Sequence, residues 1–184
     1  IDKAKMLLEG DAPVFASVAP SFAAAFPETG IAGIEKALKQ LGFFAAEETA
    51  IGATVVKKQY EELVKQGEQD IIISSCCPTV NLMIQKHYPE VLPFLAKVVS
   101  PMQAHCHDIK CRYPNAKTVF IGPCISKKQE ADELYSDVDC VLTFDELSDW
   151  LKNEKIEPES IGDAKENSKT RIFPTAGGIL KSMD

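Results

Sequence analysis

Along the chain, short apolar runs alternate with longer stretches in which apolar side chains return every three or four residues, the pattern of strands alternating with amphipathic helices. Val14-Phe15-Ala16-Ser17-Val18 is a run of the first kind and predicts a strand buried on both faces. Ile31, Ile34, Leu38 and Leu41 then repeat at helical spacing and stop at Gly42, after which Phe43 to Ala46 predicts a second strand. Val56, Tyr60, Leu63 and Val64 mark the stripe of a helix over 49–65 that Gly67 closes. Residues 70–75, centred on Ile71-Ile72-Ile73, predict a third strand, because three consecutive β-branched side chains suit burial on both faces.

Pro78 opens a helix carrying Val80, Met83, Ile84 and His87, and Pro101 opens another with Met102, Cys106, Ile109 and Tyr113 on one face. Thr118 to Ile121 and Val138 to Leu142 predict two further strands, and Thr143 with Glu146 forms a capping box ahead of Leu147, Trp150 and Leu151. The polar stretch 152–169 reads as an exposed connection. Together these elements predict an α/β fold with a mainly parallel sheet flanked by helices.

With 184 residues there is room for one core of ordinary size or for two small lobes. A net charge of −7 argues against nucleic acid and against an anionic membrane surface as partners. No apolar run approaches the roughly 20 residues that span a bilayer, and Ile1-Asp2-Lys3 has no signal-peptide layout, so a soluble, cytoplasmic protein is expected. The start without Met and the end at Met183-Asp184 read as a piece cut from a longer chain. Six cysteines are too few for a disulfide scaffold, and Cys76 and Cys77 are adjacent, which strains their pairing. Reduced thiols or metal ligands fit better.

Two predicted strand ends carry the candidate chemistry. Ile71-Ile72-Ile73 runs into Ser74-Ser75-Cys76-Cys77-Pro78, and Val119-Phe120-Ile121 runs into Gly122-Pro123-Cys124-Ile125-Ser126-Lys127-Lys128. In α/β sheets functional groups gather at the carboxyl ends of strands, where following helix N-termini favour a thiolate. The spacing is not that of a zinc knuckle, and a shared metal would have to be assembled from distant segments. Spacing alone leaves open whether Cys77 and Cys124 are ligands or small buried hydrophobes.

The same segments, extended to Gln129-Glu130, resemble the first two signature motifs of the iron-only (FeFe) hydrogenase large subunits, which read approximately T-S-C-C-P-x-W and M-P-C-x-x-K-x-x-E. Ala19-Pro20, the Leu38 to Phe43 helix end, Ser100-Pro101 and Ala176-Gly177-Gly178-Ile179 match further landmarks in the right order, so the resemblance covers nearly the whole chain. It implies residues 1–184 are the N-terminal part of a hydrogenase-like domain, as one unit or as two lobes with a junction near 122–125. By the same resemblance Cys77 and Cys124 would be thiolate ligands of the 4Fe-4S cluster of the H-cluster, and Cys76 the cysteine that relays protons to its di-iron subsite. Lys127 would bond a cyanide ligand of that subsite, Glu130 would orient the second motif, and Ala19, Pro20, Ser100 and Pro101 would line the cofactor pocket.

The departures point within the family. Catalytic members carry a third motif with two more cysteines beyond the glycine pair, and this chain stops at Asp184. Thr79-Val80 replaces x-Trp, Gly122 stands where methionine is usual, and Met102 stands where catalytic members tend to carry Gln. These substitutions resemble divergent modules of anaerobes that sit beside ferredoxin-like electron-transfer domains and sensory or signalling domains. The implied function is therefore an iron-sulfur-binding hydrogenase-like domain of a hydrogen or redox sensor, with an iron-sulfur assembly scaffold as the alternative.

Among the remaining candidates, Cys106 falls on a helix stripe and Cys140 in a strand, both read as core. His105, His107 and Cys111 include one pair at i, i+4 that could chelate zinc. The runs Glu47-Glu48, Glu61-Glu62 and Asp132-Glu133 read as solvated faces.

Overall fold

Val14 to Val18 forms strand β1, and all five residues are buried, as an uninterrupted apolar run requires when both sheet faces are covered. A computed structural model describes residues 1–133, 137–161 and 169–183. The predicted polar connection is exposed up to Ile161 apart from partly buried Ile156 and Pro158, and its 162–168 part lies outside the described residues.

Strands β2 (Ala45–Glu48), β3 (Lys117–Gly122) and β4 (Cys140–Thr143) join β1 in a four-stranded sheet of order β2-β1-β3-β4. All three pairings are parallel, with Val18 opposite Glu48 on one side and opposite Ile121 on the other. Helices cover both faces. Val14, Ala16 and Val18 pack with α1 (Asp2–Leu8), α3 (Gly30–Gln40) and α8 (Phe144–Asn153), through Ala4, Ile34, Leu38, Leu147 and Trp150. Phe15 and Ser17, which point the other way, meet α6 (Pro101–Arg112) through Ile109 and His105.

Local chemistry sets the helix ends. Gly67, at φ 62°, terminates α4 (Ala50–Gln66) in the left-handed conformation that glycine adopts freely. The Thr143–Glu146 capping box forms in both directions. Two short helices, α2 (Phe22–Ala25) and α9 (Gly178–Ser182), and two 3₁₀ turns at Pro89–Phe94 and Lys169–Ile172 complete the fold with α5 (Pro78–His87) and α7 (Ser126–Glu133). Among the described residues no helix is long and apolar enough to cross a membrane.

One predicted strand is not in the sheet. Residues 70–75 make a single parallel bridge, Ile73 to Leu95, in which Ile73 N donates to Phe94 O and Ala96 N donates to Ile73 O. Ile71 is 55% exposed, so the β-branched run is not buried on both faces. Instead Ile72 packs in a second apolar cluster with Val56, Tyr60, Ala96, Phe173 and Ile179, away from the sheet core.

A polar network ties sheet to helix under β1. The Ser17 hydroxyl bonds both Thr49 Oγ1 and His105 Nδ1 at 2.8 Å, and His105 Nε2 lies 3.1 Å from Glu47 Oε2. Arg112 grips the same carboxylate with Nη1 at 3.0 Å and Nη2 at 2.6 Å. His105 is fully buried and spent on Ser17 and Glu47, and stands apart from the His107–Cys111 pair. His107 bonds Asp137 at 2.6 Å and lies 3.5 Å from Cys111 Sγ, and among the described residues no group of three or more His, Cys, Asp or Glu side chains could hold a metal ion.

The His105 hydrogen bond, helped by Arg112 and opposed by burial, lowers the Glu47 carboxyl from 4.5 to about 2. A carboxyl depressed in the folded state contributes stability above its unfolded value and loses it as pH falls through the folded value. The unfolding midpoint is therefore expected to drop as pH goes from about 4.5 to about 2. Glu47→Gln should flatten that profile in calorimetry and cost ~1–3 kcal/mol at neutral pH, with Arg112 left short of its anion. An unchanged acid profile would remove Glu47 from the stabilising network.

Candidate functional site

In this sheet the chain leaves β1 for β2 on one side and later returns on the other side as β3. The strand order reverses between β1 and β3, and a crevice opens at the carboxyl ends of such a pair. Ala19-Pro20 leaves β1 there, with Ala19 N donating to Ile121 O at 2.8 Å, and Pro123-Cys124 leaves β3 beside it. Ser74 to Cys77 enters from the bridged segment at Ile73.

These three segments wall one cavity of about 560 Å³. Ala19, Pro20, Cys76, Cys77, Pro101, Cys124 and Lys127 all line it, so seven of the nine residues singled out in the sequence meet in one place. The other two stand behind the wall. Ser100, 3% exposed, caps α6 by accepting from Gln103 N, and Glu130 Oε2 receives a hydrogen bond from Lys127 Nζ at 2.6 Å. The rest of the lining is mainly apolar, from α4 (Ala50, Ala53), Met102, Phe120 and the 173–179 segment. Arg171, paired through Nε to Glu48 Oε2 at 2.7 Å, ties the segment that contributes Phe173 and Pro174 to the end of β2.

Each cysteine has its own setting. Cys77 is exposed and occupies the N-cap position of α5, with extended backbone. Cys124 is half-buried two residues before α7, and its carbonyl accepts from Lys127 N. Both cysteines thus stand at the start of a helix. The two loops are stapled together by Thr79 Oγ1 and Ser126 Oγ, 2.6 Å apart. Cys76 differs: burial pushes its thiol above the ordinary value, against the pull of Ser74, Tyr60 and Lys127, so at neutral pH it keeps its proton. Its Sγ lies 3.7 Å from the Tyr60 hydroxyl. That hydroxyl is itself raised by burial and accepts from Ser75 N at 2.9 Å.

Lys127 is 8% exposed and its Nζ also reaches Cys76 O at 3.4 Å. One amine thus joins the second motif to the first, with Glu130 as its ion-pair partner at the cavity wall. Cys106 and Cys140 are core, as expected; burial drives the Cys106 thiol to about 12 and raises that of Cys140. Asp132 pairs with Lys3 on a solvated face, whereas Glu61 with Lys57, Glu47 with Arg112 and Glu48 with Arg171 are largely covered ion pairs, which corrects the solvated reading of those two runs.

Reasoning on the sequence missed Tyr60, because on a helix stripe it reads as core; the signal was its hydroxyl, which a buried tyrosine must pair. It also missed the α4 wall, which only tertiary packing brings to the site.

A family described as the iron-only hydrogenase large subunit, C-terminal domain, matches residues 12–184. The chain belongs to that family. It is 31% identical over 185 residues to Iron hydrogenase 1 of Clostridium pasteurianum, an alignment covering 91% of this chain and 32% of that protein. It is 27% identical to Cytosolic Fe-S cluster assembly factor NAR1 of Yarrowia lipolytica, over 83% of this chain and 35% of the relative. Variant forms of the FeFe-hydrogenase HydA1 of Chlamydomonas reinhardtii share the fold with TM-scores of 0.77 and 0.76, at 22% and 23% identity, over 98% of this chain and 55% of theirs. The chain thus spans about a third of the length of these curated relatives.

Hydrogenases of this family hold iron-sulfur cofactors, and a cubane cluster takes four thiolates. Cys77 and Cys124 present two thiols to one cavity, a partial fit for such a cluster, and among the described residues no further cysteine lines that cavity except the relay candidate Cys76.

Proposed function

We propose that residues 1–184 are part of an iron-sulfur-binding hydrogenase-type domain in which Cys77 and Cys124 are two thiolate ligands of a four-iron cluster. The remaining two ligands would come from outside the described residues, and a junction near 122–125 would separate two lobes of the intact domain. The observation that carries this reading is that two cysteines far apart in the chain open onto the same cavity, each beside a helix N-terminus.

A cluster with its di-iron subsite supplies electron transfer and hydrogen binding when present. What this chain contributes is positioning and proton handling. Cys76 holds a proton at Sγ on the cavity wall, the group a proton relay needs. Lys127 offers a compact ammonium to an anionic group in the cavity, and Glu130 fixes its direction. Phe120, Met102 and Phe173 keep water away from whatever the cavity holds. In this reading electrons pass to a ferredoxin-like domain or protein, and a neighbouring sensory or signalling domain reads the redox state in the cytoplasm. The likeness to the NAR1 assembly factor supports a second reading, a cluster scaffold without hydrogen turnover.

Anaerobic reconstitution with iron and sulfide, followed by thiol alkylation and mass spectrometry, tests the ligand reading. Cys77 is expected to be alkylated in the untreated chain and protected after loading, while exposed Cys111 reacts in both. Equal labelling of Cys77 and Cys124 before and after loading would discard the reading. Within the loaded intact protein, Cys76→Ala is expected to lower hydrogen–deuterium exchange activity by at least ~10²-fold if the domain turns hydrogen over. In a scaffold neither wild type nor variant exchanges hydrogen.

A further inference from the structure

Outside the large cavity, on the solvent face of α6, His107 and Cys111 stand four residues and one helical turn apart. The helix is held from behind, because Cys106 and Ile109 on its inner face are fully buried. The His107 side chain is 68% exposed and Cys111 is exposed, so both donors are open to another molecule. Their atoms Nε2 and Sγ lie 3.5 Å apart. A tetrahedral ion with Zn–S of about 2.3 Å and Zn–N of about 2.0–2.1 Å also holds its sulfur and nitrogen about 3.5 Å apart, so the pair already has that bite. His107 Nδ1 lies 2.6 Å from Asp137 Oδ2. A carboxylate only accepts, so Nδ1 carries the proton and Nε2 turns a lone pair toward Cys111. A carboxylate behind the imidazole is the arrangement that orients metal-bound histidines. Cys111 also stands in the last turn of α6, where the helix dipole favours a cation.

The neighbouring charges on this helix are already matched, Asp108 with Arg112 and Lys110 with Asp139, both at 2.9 Å. Two donors fill only half of a tetrahedral shell, and no group of three or more such side chains gathers among the described residues. A second copy supplies the other half directly, since a two-fold contact brings the same patch of each subunit to the axis. The geometry points to a zinc-class site between two copies of this chain, in which His107 and Cys111 of each copy bind one shared ion and Asp137 orients each histidine. Two nitrogens and two sulfurs make the closed shell of a structural zinc site. The step balances: two Sγ–metal and two Nε2–metal bonds form, two thiol protons leave to solvent, and no electron moves. The site is independent of the cluster reading of the large cavity, which shares none of these residues.

The reduced, chelator-stripped chain, titrated anaerobically with zinc and with cobalt(II) as its coloured stand-in, tests the site. A Cys77→Ala/Cys124→Ala background keeps the cavity thiols from competing. Zinc is expected to saturate at one ion per two chains and to double the mass in sedimentation equilibrium, with reversal by a chelator. Cobalt should give the intense visible bands of a tetrahedral ion together with a sulfur-to-cobalt charge-transfer band. Saturation at one ion per chain with unchanged mass, or absorption without the sulfur band, overturns the shared site. His107→Ala and Cys111→Ser, both at exposed positions, should each abolish the zinc-dependent dimer; a dimer that persists in either places the ion elsewhere. Asp137→Asn is expected to weaken zinc binding by ~10–100-fold, and an unchanged affinity removes Asp137 from the site. If the double-alanine background does not fold, Cys111→Ser in the wild-type chain gives the same answer as a loss of half an ion per chain, and an unaltered zinc content there overturns the proposal.

Discussion

Alanine in place of Cys77 or of Cys124 is expected to abolish stable iron binding while leaving the fold intact. Neither thiol carries packing: Cys77 is exposed and Cys124 only half-buried, so truncation opens no cavity in the core. The loss falls on the metal. Removing a group that merely orients a ligand costs ~10–100-fold in affinity, and removing a ligand should cost no less. Iron content and the charge-transfer absorbance after anaerobic reconstitution read the effect directly, with circular dichroism as the check on folding. Cys111→Ala, a change at an exposed thiol outside the cavity, should bind iron like wild type. Full iron retention in both single alanine variants would end the ligand assignment.

The largest effect on stability is expected at Gly52, where α4 crosses α6. A Cβ there would sit 2.2 Å from Pro101 O and 2.7 Å from His105 N, so the obstacle is backbone rather than a side-chain tip that can turn away. Alanine would gain about 1 kcal/mol of helix propensity. Pushing two packed helices apart costs more, at or above the ~1–3 kcal/mol of ordinary overpacking. The net result for Gly52→Ala should be destabilisation of about 2–3 kcal/mol, or a fall of ~4–12 °C in melting temperature. The displacement would also reach the site, because Pro101 lines the large cavity and His105 anchors the network to Ser17 and Glu47. Thermal unfolding of this variant measures it, and a midpoint equal to wild type would show that the helices can slide apart freely.

Local signals read well wherever a segment's own chemistry decides its state. The β1 run, the capping box at Thr143 and the Gly67 stop appear where the residues place them. Residues 70–75 did not follow, because β-branched composition favours extended backbone without saying whether a sheet edge is free to receive it. Here the sheet has its four strands, and the segment pairs with 94–96 instead. The site was legible to the extent that short motifs carry its chemistry: Cys76, Cys77, Cys124 and Lys127 stand in two such motifs. Tyr60 carries no motif. Its significance lies in which partner its hydroxyl finds, and pairing is settled between segments.

The residue order alone determined that strands and helices alternate, that thiols follow strand-like segments, and which family the chain belongs to, since these depend on spacing along the backbone. Tertiary structure decided that the two cysteine loops meet and that Lys127 bridges them with Glu130 behind it. Convergence of this kind depends on how a parallel sheet brings the ends of β1 and β3 together, and on side chains contributed by helices remote in sequence.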